Sequence, residues 1–385
     1  MSDILRKCIR ATVATPMRHY YRYYHRFLGL WLWMSPAMRQ VFRATPTKER
    51  RLLIIHDFSA QPFSVGEMLV SQEGSLVLRE RYGAVGVDIA ILYNRQSPVA
   101  DPIHKLITED NVLFNLAAIL PVAQVNPYFG SVFVFDSRDR LERFVLDTSS
   151  LYTVWPDARS FMTKKYVYYE VMNNILYPYF KKHGRIPTIS CTPFLAKWAS
   201  DFYQKHVCPN VGVSIQVRNN PFFHQQRNLN TERWLDLFQY CSSRYPVTFV
   251  LIGIANEIDA RFRGLNNVLI AKDFHTGLDQ DLALIQMSAI HMGSSSGPNA
   301  MAIFSPKPFL FVRDMTPPEA YLGMVKEGKF WRMPFSTPYQ LFYSDEETTE
   351  LLICEFERMW TGVYKEPWTT VLKEDRETVP ESWLR

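Results

Sequence analysis

A run of small and hydroxylated residues late in the chain has the composition of an anion-binding turn. It follows an apolar stretch, precedes Pro298 and consists of Gly293, Ser294, Ser295, Ser296 and Gly297. Small residues let the backbone approach a ligand closely. A proline is typical of the first helical turn, where N–H groups and the helix dipole attract anions. The alternative is an ordinary strand-to-helix turn with serine caps. Within an α/β domain, the pattern favours diphosphate binding.

Arg218 is the strongest candidate for a partner of this turn. It directly follows the apolar segment 211–217 and is the only formal charge between Lys205 and Arg227. A guanidinium presents a planar fork of donors that matches phosphate oxygens in pairs. A surface arginine at a strand end is the alternative. Arg227, His224 and Asn219, in the polar loop that follows, are weaker candidates.

The segment from Ser64 to Glu67 permits two interpretations. Ser64-Val-Gly-Glu67 fits the capping box, in which the Ser and Glu side chains each accept a backbone N–H at the start of a helix. Alternatively, Glu67 is a general base that takes a proton from an attacking hydroxyl, and Gly66 lets that acceptor come close. The local pattern does not decide between them.

Other polar residues carry weaker signals. Asp273 and His275 follow the apolar segment 268–271, where they would contact a nucleoside or shape a loop. Asp279 and Asp281 have the spacing of a metal-binding Asp-x-Asp pair, but such a pair should directly follow an apolar strand. We therefore expect them to cap a helix and expect no metal site. His291 falls inside a predicted strand and is expected to be a buried, hydrogen-bonded histidine.

The spacing of apolar residues predicts alternating strands and helices in two series. The first series has strands at 51–56, 87–92 and 131–135, with helices at 64–82 and about 103–120. The second has strands at 211–217, 247–252, 268–271, 289–292 and 309–312, with helices near 231–244, 279–288 and 298–305. Between them we expect a helix over 160–183 that stops at Gly184, and another that begins with Thr192 and Pro193. A last helix is expected over 345–360.

This order predicts an α/β protein with two doubly wound domains, which suits 385 residues. The expected division is a basic, aromatic helical segment at 1–50, a first domain with a bridging helix at 51–185, a second domain at 186–344, and a terminal helix and tail at 345–385. Open parallel sheets bind ligands outside the carboxyl ends of their strands. No dinucleotide fingerprint, Walker motif, esterase elbow or zinc-protease motif occurs.

The net charge of +5 is unevenly distributed. Residues 1–51 carry eleven Lys and Arg against two acidic residues, which leaves −4 on the rest of the chain. A uniformly basic nucleic-acid binder is therefore not expected. Seven aromatic residues also cluster at positions 20–33 of this basic segment, namely Tyr20, Tyr21, Tyr23, Tyr24, Phe27, Trp31 and Trp33. It would contact an anionic membrane, dock on the body of the protein as a helix, or bind single-stranded nucleic acid.

The cysteines and the hydropathy suggest a location. Five scattered cysteines without a Cys-x-x-Cys pair fit a reducing cytosol. The apolar stretch 27–34 has eight residues, too few for a spanning helix, and no secretory signal is recognisable. We expect a cytoplasmic protein, with peripheral contact at the inner face of the membrane if the N-terminal segment binds lipid.

Taken together, these motifs resemble GT-B-type nucleotide-sugar glycosyltransferases, especially the heptosyltransferase-like and fucosyltransferase-like enzymes of bacterial surface polysaccharides. Gly66-Glu67 matches the Gly-Asp pair that carries the catalytic base in the heptosyltransferase-like enzymes, with Glu in place of Asp. Ser296-Gly297-Pro298 matches their turn before the donor-binding helix. The strand ending in Gln216-Val-Arg218 is similar to the fucosyltransferase-like pattern, with Gln216 where His is usual.

The resemblance implies two Rossmann-like domains facing a cleft and a single displacement with inversion. Glu67 would remove the acceptor proton, while Arg218 and the 293–297 turn stabilise the departing nucleoside diphosphate without a metal. The donor would be a nucleotide-sugar co-substrate and the acceptor a glycan or glycolipid of the cell envelope. Asp273 and His275 would lie on the donor side, and Ser64 and Gly66 on the acceptor side. Nucleotide-sugar epimerases and non-catalytic scaffolds of envelope assembly share this pair of domains and are the alternatives.

Overall fold

The computed structural model describes residues 50–58, 64–93, 108, 110–156, 167–221, 224–316 and 321–365. The expected N-terminal helical segment therefore lies outside the described residues except for Arg50. Three other expected segments also lie partly or wholly outside the described residues. They are most of the part before residue 110 of the helix expected at 103–120, the start of the helix expected at 160–183, and the C-terminal tail from residue 366.

The chain forms two compact units that interleave along the sequence. Of the described residues, the first unit holds 50–58, 77–93, 108, 110–117, 128–156 and 167–171. The second unit holds 64–76, 118–127, 172–221, 224–316 and 321–365. This division differs from the expected boundary at 185, because three stretches before that residue group with the second unit. One of these stretches, 64–76, contains Ser64, Gly66 and Glu67.

The first unit is built on a four-stranded parallel sheet with the order β3-β2-β1-β4. Its strands are β1 (Arg51–Asp57), β2 (Val87–Leu92), β3 (Phe129–Phe135) and β4 (Tyr152–Trp155). Strands β1 and β2 are nearly continuous apolar runs and are buried along their length, as expected for inner strands of a parallel sheet. The alternation of apolar residues did not predict the short β4.

Three helices accompany this part of the chain: α1 (Val65–Tyr82), α2 (Val112–Ile119) and α3 (Arg138–Asp147). Leu141 and Val145 of α3 pack against Leu53, Ala90 and neighbouring residues of the sheet. This amphipathic packing covers one face of the sheet. The helix α1 starts in the second unit and ends in the first.

The second unit contains an eight-stranded sheet with the order β10-β11-β12-β9-β8-β5-β6-β7. Its strands are β5 (Val211–Gln216), β6 (Val247–Ile252), β7 (Val268–Ile270), β8 (Ile290–Ser294), β9 (Phe309–Val312), β10 (Val325–Glu327), β11 (Phe330–Arg332) and β12 (Gln340–Tyr343). The pairs β10–β11 and β11–β12 are antiparallel, and the other pairs are parallel. The sequence pattern did not predict β10, β11 or β12, which are short and carry charged and aromatic residues.

Helix α4 (Val167–Val171) belongs to the first unit, and a π-helical turn (Met172–Leu176) joins it to α5. The helices of the second unit are α5 (Tyr177–His183), α6 (Pro193–His206), α7 (Thr231–Ser242), α8 (Leu278–Met287), α9 (Ala300–Ile303) and α10 (Thr349–Lys365). Trp234 of α7 and Phe356 of α10 are fully buried in one core with Phe249 of β6. The helix α6 contacts α8 in the same unit.

The predicted fold class is confirmed, since both units are α/β units with parallel strands. Two helix boundaries are also confirmed. The helix α5 ends at Gly184, whose φ of 72° lies in the left-handed region, and α6 begins with Pro193 after Thr192. Among the described residues, no helix is long and apolar enough to cross a membrane.

The helix expected at 298–305 is wrong in its length and type. The chain forms a 3-10 turn at Gly297–Asn299 and then only four α-helical residues, Ala300–Ile303. Pro306 disfavours a helical conformation at Ser305, so the helix has no room to continue. The dipole of a regular helix is therefore absent from this turn.

Candidate functional site

The serine–glycine turn begins inside the core and ends at the surface. Gly293 and Ser294 belong to β8, and Ser294 is fully buried, so its hydroxyl is not presented to a ligand. The N–H of Ser295 donates to the carbonyl of Val312 at 3.2 Å and extends the pairing with β9. The half-buried part of the turn starts at Ser295 and continues through Ser296 and Gly297. These three residues are the ones that can meet a ligand.

Gly293 is required by close backbone packing. Its φ is 152°, and a Cβ atom there would lie 2.5 Å from the carbonyl oxygen of Gln216 on the neighbouring strand. No side chain fits into that space. Gly293 therefore allows β5 and β8 to approach each other where the turn begins.

A buried hydrogen-bond network holds the turn from below. His291 Nδ1 and Ser214 Oγ lie 2.8 Å apart, and His291 Nε2 lies 3.2 Å from Asn299 Oδ1. Asn299 Nδ2 in turn donates to the carbonyl of Ser294 at 2.8 Å. Burial lowers the pKa of His291 to about 4, so the ring is neutral at pH 7. The expectation of a buried, hydrogen-bonded histidine is confirmed.

Arg218 lies at the same sheet edge as the turn. Gln216 of β5 pairs with Gly293 of β8, and Arg218 and Ser295 each follow two residues later. Neighbouring parallel strands lie about 4.8 Å apart, so the two strand ends are adjacent. Arg218 is half-buried, and its pKa is lowered mainly by burial; nearby Glu257 raises it, and nearby Arg227 lowers it further. The guanidinium remains charged at neutral pH.

A carboxylate that the sequence analysis missed anchors the start of the loop after β5. Glu257 is 8 % exposed and follows β6 in a 3-10 turn. Its Oε2 accepts the N–H of Asn219 at 3.0 Å, and its Oε1 accepts from the side chain of Asn220 at 3.2 Å. The sequence feature that could have pointed to Glu257 is its position just beyond the carboxyl end of β6, the strand next to β5.

The N-terminus of α1 contacts the turn directly. A Cβ atom on Gly297 would lie 2.8 Å from the backbone N of Gly66, and one on Gly66 would lie 3.3 Å from Cα of Gly297. Both glycines belong to the second unit. The structure thus gives Gly66 a packing role that the sequence did not reveal. The positive end of an 18-residue helix adjoins the turn.

Ser64 and Glu67 lie in the first turn of this helix region and are half-buried. The carbonyl of Ser64 accepts the N–H of Met68 at 3.3 Å, and the carbonyl of Glu67 accepts the hydroxyl of Ser71 at 3.0 Å. One carboxylate oxygen of Glu67 is shielded from solvent. Glu67 directly follows Gly66, whose backbone contacts Gly297 of the turn.

Asp273 and His275 also lie beyond the carboxyl end of a strand of this sheet, but farther from the turn. They follow β7, the outermost strand, which is three strand positions from β8, or about 14 Å at the usual spacing. Both are exposed, and Asp273 Oδ1 pairs with Arg263 Nη2 at 2.7 Å. The carboxyl ends of β5 to β8 thus bring all the donor-side candidates to one edge, with these two at its far end.

A second arginine at this edge is already neutralised. Arg313 follows β9, and its Nε lies 2.6 Å from Glu347 and its Nη2 2.8 Å from Glu346. Its role is therefore structural, because both carboxylates fix it in place.

The Asp-x-Asp pair lies at the start of a helix. Asp279 and Asp281 lie in the first turn of α8, as expected, and Asp281 pairs with Lys272 at 2.7 Å. Within the part of the chain that the structure describes, no group of three or more His, Cys, Asp or Glu residues could hold a metal ion.

Comparisons with known proteins found similarity among solved structures. No protein-family model matches the chain, and no curated protein matches it. Several solved structures that resemble it are glycosyltransferases, the class whose motifs the sequence resembles. At identities below 25 % this similarity concerns the fold, so function has to be argued from the residues of this chain.

Three of these structures are representative. The ADP-heptose lipopolysaccharide heptosyltransferase II of E. coli is 12 % identical, with 81 % of this chain and 99 % of that chain covered and a TM-score of 0.47. A family 9 glycosyltransferase from Veillonella parvula is 11 % identical, with 83 % and 100 % covered and a TM-score of 0.48. The fucosyltransferase NodZ from Bradyrhizobium is 14 % identical, with 68 % and 94 % covered and a TM-score of 0.28.

Proposed function

We propose that this protein is an inverting glycosyltransferase that moves a sugar from a nucleoside-diphosphate sugar to a glycan or glycolipid acceptor. The observation that carries the proposal is the backbone contact between Gly66 and Gly297. It brings Glu67 next to the same turn that the strand pairing sets beside Arg218. A base, an anion-binding turn and a guanidinium are the groups that such a displacement needs.

The donor side is formed by Arg218 with Ser295, Ser296 and Gly297. In the transition state, negative charge develops on the departing nucleoside diphosphate. Groups that are held in position before the reaction lower the barrier most. The guanidinium binds phosphate oxygens in pairs, and the hydroxyls and the N-terminus of α1 add dipoles of the right sign. Gly293 and Ser294 act through the backbone that shapes the turn.

Glu67 acts as the general base on the acceptor side. It removes the proton from the acceptor hydroxyl as that oxygen attacks the anomeric carbon, and the bond from that carbon to the diphosphate breaks with inversion. Ser64 and Gly66 set the position of Glu67 through the start of α1. Asp273 and His275 lie where the nucleoside would extend from the diphosphate along the sheet edge.

The remaining features of the proposal concern its surroundings. The positive charge of Arg218 takes the part that a divalent metal plays in other transferases, so the reaction would need no metal. The acceptor would belong to a cell-envelope polysaccharide. The basic segment 1–51 would hold the enzyme at the inner face of the membrane, and nucleic acid is not a partner.

The first test is nucleotide binding by the full-length chain. Calorimetric titration with ADP, GDP, UDP, dTDP and CMP should identify one preferred base. The Arg218→Ala substitution should then weaken binding about 10- to 100-fold, as expected for the loss of charge-assisted hydrogen bonds. Arg140→Ala is the matched control, because that arginine is 71 % exposed and lies in the first unit.

Three outcomes would contradict the proposal. Absence of binding to every nucleotide would remove the donor, and the scaffold alternative would then be favoured. Unchanged affinity in Arg218→Ala would show that the nucleotide binds elsewhere. Conversion of one nucleotide-sugar to its epimer without an acceptor would favour the epimerase alternative.

A further inference from the structure

We propose that Arg227 is a second guanidinium of the donor site, which acts with Arg218 on the diphosphate and makes the site selective for a nucleoside diphosphate over a monophosphate. This inference rests on the proposed function. It concerns the loop between β5 and α7, and it gives a specific role to Arg227, which the sequence analysis named only as a weaker candidate.

The loop holds Arg227 in a defined position. The N–H of Asn220 donates to Asn228 Oδ1 at 2.9 Å, and Asn228 Nδ2 donates back to the carbonyl of Asn220 at 2.8 Å. The N–H of Leu229 also donates to the carbonyl of Arg218 at 3.0 Å. These bonds join the two ends of the loop, so the main chain that carries Arg227 is fixed close to Arg218.

The short turn that carries Arg227 is itself ordered by backbone contacts. His224 has a φ of 51°, in the left-handed region, and reverses the chain before the 3-10 turn Gln225–Arg227. The N–H of Arg227 donates to the carbonyl of His224 at 2.9 Å. Arg227 therefore lies at the end of a structured turn.

The electrostatic environment of the two arginines calls for an anion. Both are half-buried, and the charge of Arg227 lowers the pKa of Arg218, as a nearby like charge does. Glu257 raises the pKa of Arg218, so one negative charge stands against the two positive charges, and the group keeps a net positive charge. Two neighbouring guanidiniums that are partly withdrawn from water are stabilised when a multivalent anion binds between them.

Arg227 differs from other arginines of the second unit. Five of them form ion pairs with carboxylates: Arg233, Arg261, Arg263, Arg313 and Arg358. Within the described residues, Arg227 has no such pair, and its buried Nε has no hydrogen-bond acceptor. A buried donor left without an acceptor is costly, and a phosphate oxygen would satisfy it.

Two guanidiniums explain why the ligand should carry two phosphates. Each planar fork matches the oxygens of one phosphate. A monophosphate has one such group, so it engages one arginine fully and leaves the other without its partner. The diphosphate engages both.

The test compares a nucleoside diphosphate with its monophosphate, using the base that wild-type protein prefers. Arg227→Ala should weaken diphosphate binding about 10- to 100-fold and monophosphate binding less than about threefold. Arg227→Lys should restore part of the diphosphate affinity, because it returns the charge without the fork. Gln226→Ala is the matched control, an exposed neighbour in the same turn whose affinities should stay at the wild-type values.

The outcomes separate this inference from the proposed function. If Arg218→Ala weakens diphosphate binding and Arg227→Ala does not change it, this inference fails and the proposed function stands. Equal weakening of diphosphate and monophosphate by Arg227→Ala also overturns it. If wild-type protein binds no nucleoside diphosphate, both fail together. Thermal unfolding of each variant shows whether a loss of binding comes from a loss of folded protein.

Discussion

Replacing Gly297 by alanine tests the contact on which the candidate site is built. The added Cβ atom would lie 2.8 Å from the backbone N of Gly66 and 3.0 Å from Cβ of Val65, whereas ordinary contacts begin near 3.4 Å. Neither neighbouring atom is the flexible end of a long side chain. The turn and the start of α1 must therefore separate by about 0.6 Å, the difference between 3.4 and 2.8 Å.

Two consequences of this separation can be estimated. Overpacking of a close contact typically costs about 1–3 kcal/mol of unfolding free energy. A misplacement of about 1 Å at a reacting centre costs about 100-fold in rate, so a shift of about 0.6 Å should lower kcat/KM about tenfold. The φ of Gly297 does not lie in the left-handed region, so the effect should be purely steric.

The assay combines denaturant unfolding with steady-state transfer from the preferred nucleotide-sugar. Gly264→Ala is the control, because a Cβ atom there has no neighbour within 4 Å, and stability should stay the same or rise slightly. Wild-type stability and turnover in Gly297→Ala would refute the reasoning, since they would mean that helix and turn do not meet closely.

Three further predictions concern Glu67 as the general base, the buried hydrogen bonds of Asn299, and the dependence of stability on pH. If Glu67 is the base, Glu67→Gln should lower kcat about 10²- to 10⁴-fold with little change in donor affinity. Glutamine also fits the capping box, so wild-type turnover in this variant would show that Glu67 only caps the helix. Asn299→Ala should cost about 2–5 kcal/mol in unfolding free energy, because it leaves buried groups of His291 and Ser294 unpaired; a loss below about 1 kcal/mol would contradict the network. Burial lowers the pKa of both His56 and His291 to about 4, so the unfolded chain binds protons first as pH falls. Stability should thus fall from about pH 6.5 downward, by about 2 kcal/mol per histidine at pH 5, and an equal unfolding free energy at pH 7 and pH 5 would exclude this.

Several elements were predictable because their signal is local. The apolar runs of β2, β6 and β9 were predicted with the boundaries that the structure has. A run buried on both faces is apolar at every position, so the pattern needs no knowledge of the partner strand. The stop at Gly184 and the start at Pro193 are local in the same way, since each depends on the backbone preference of one residue.

Other elements failed for equally definite reasons. The strands β10 to β12 have only three or four residues each, too few for an alternating apolar pattern to be recognised. They form because they pair with one another in the sheet. The helix after the serine–glycine turn was expected to be longer because Pro298 favours a helix start, but Pro306 limits it. Glu257 was missed because its value as an anchor depends on the neighbouring strand β5, which is distant in sequence.

The amino-acid sequence alone determined the α/β class, the boundaries of the inner strands and the choice of Arg218 and the serine–glycine turn as chemically capable groups. Each of these follows from residue type and short-range spacing. Only the tertiary structure decided which groups meet: the register that sets Arg218 beside Ser295, and the contact of Gly66 with Gly297 across more than 200 residues of chain. Such contacts depend on how whole helices and sheets pack, and that packing is the sum of many weak, distant interactions that no local pattern records.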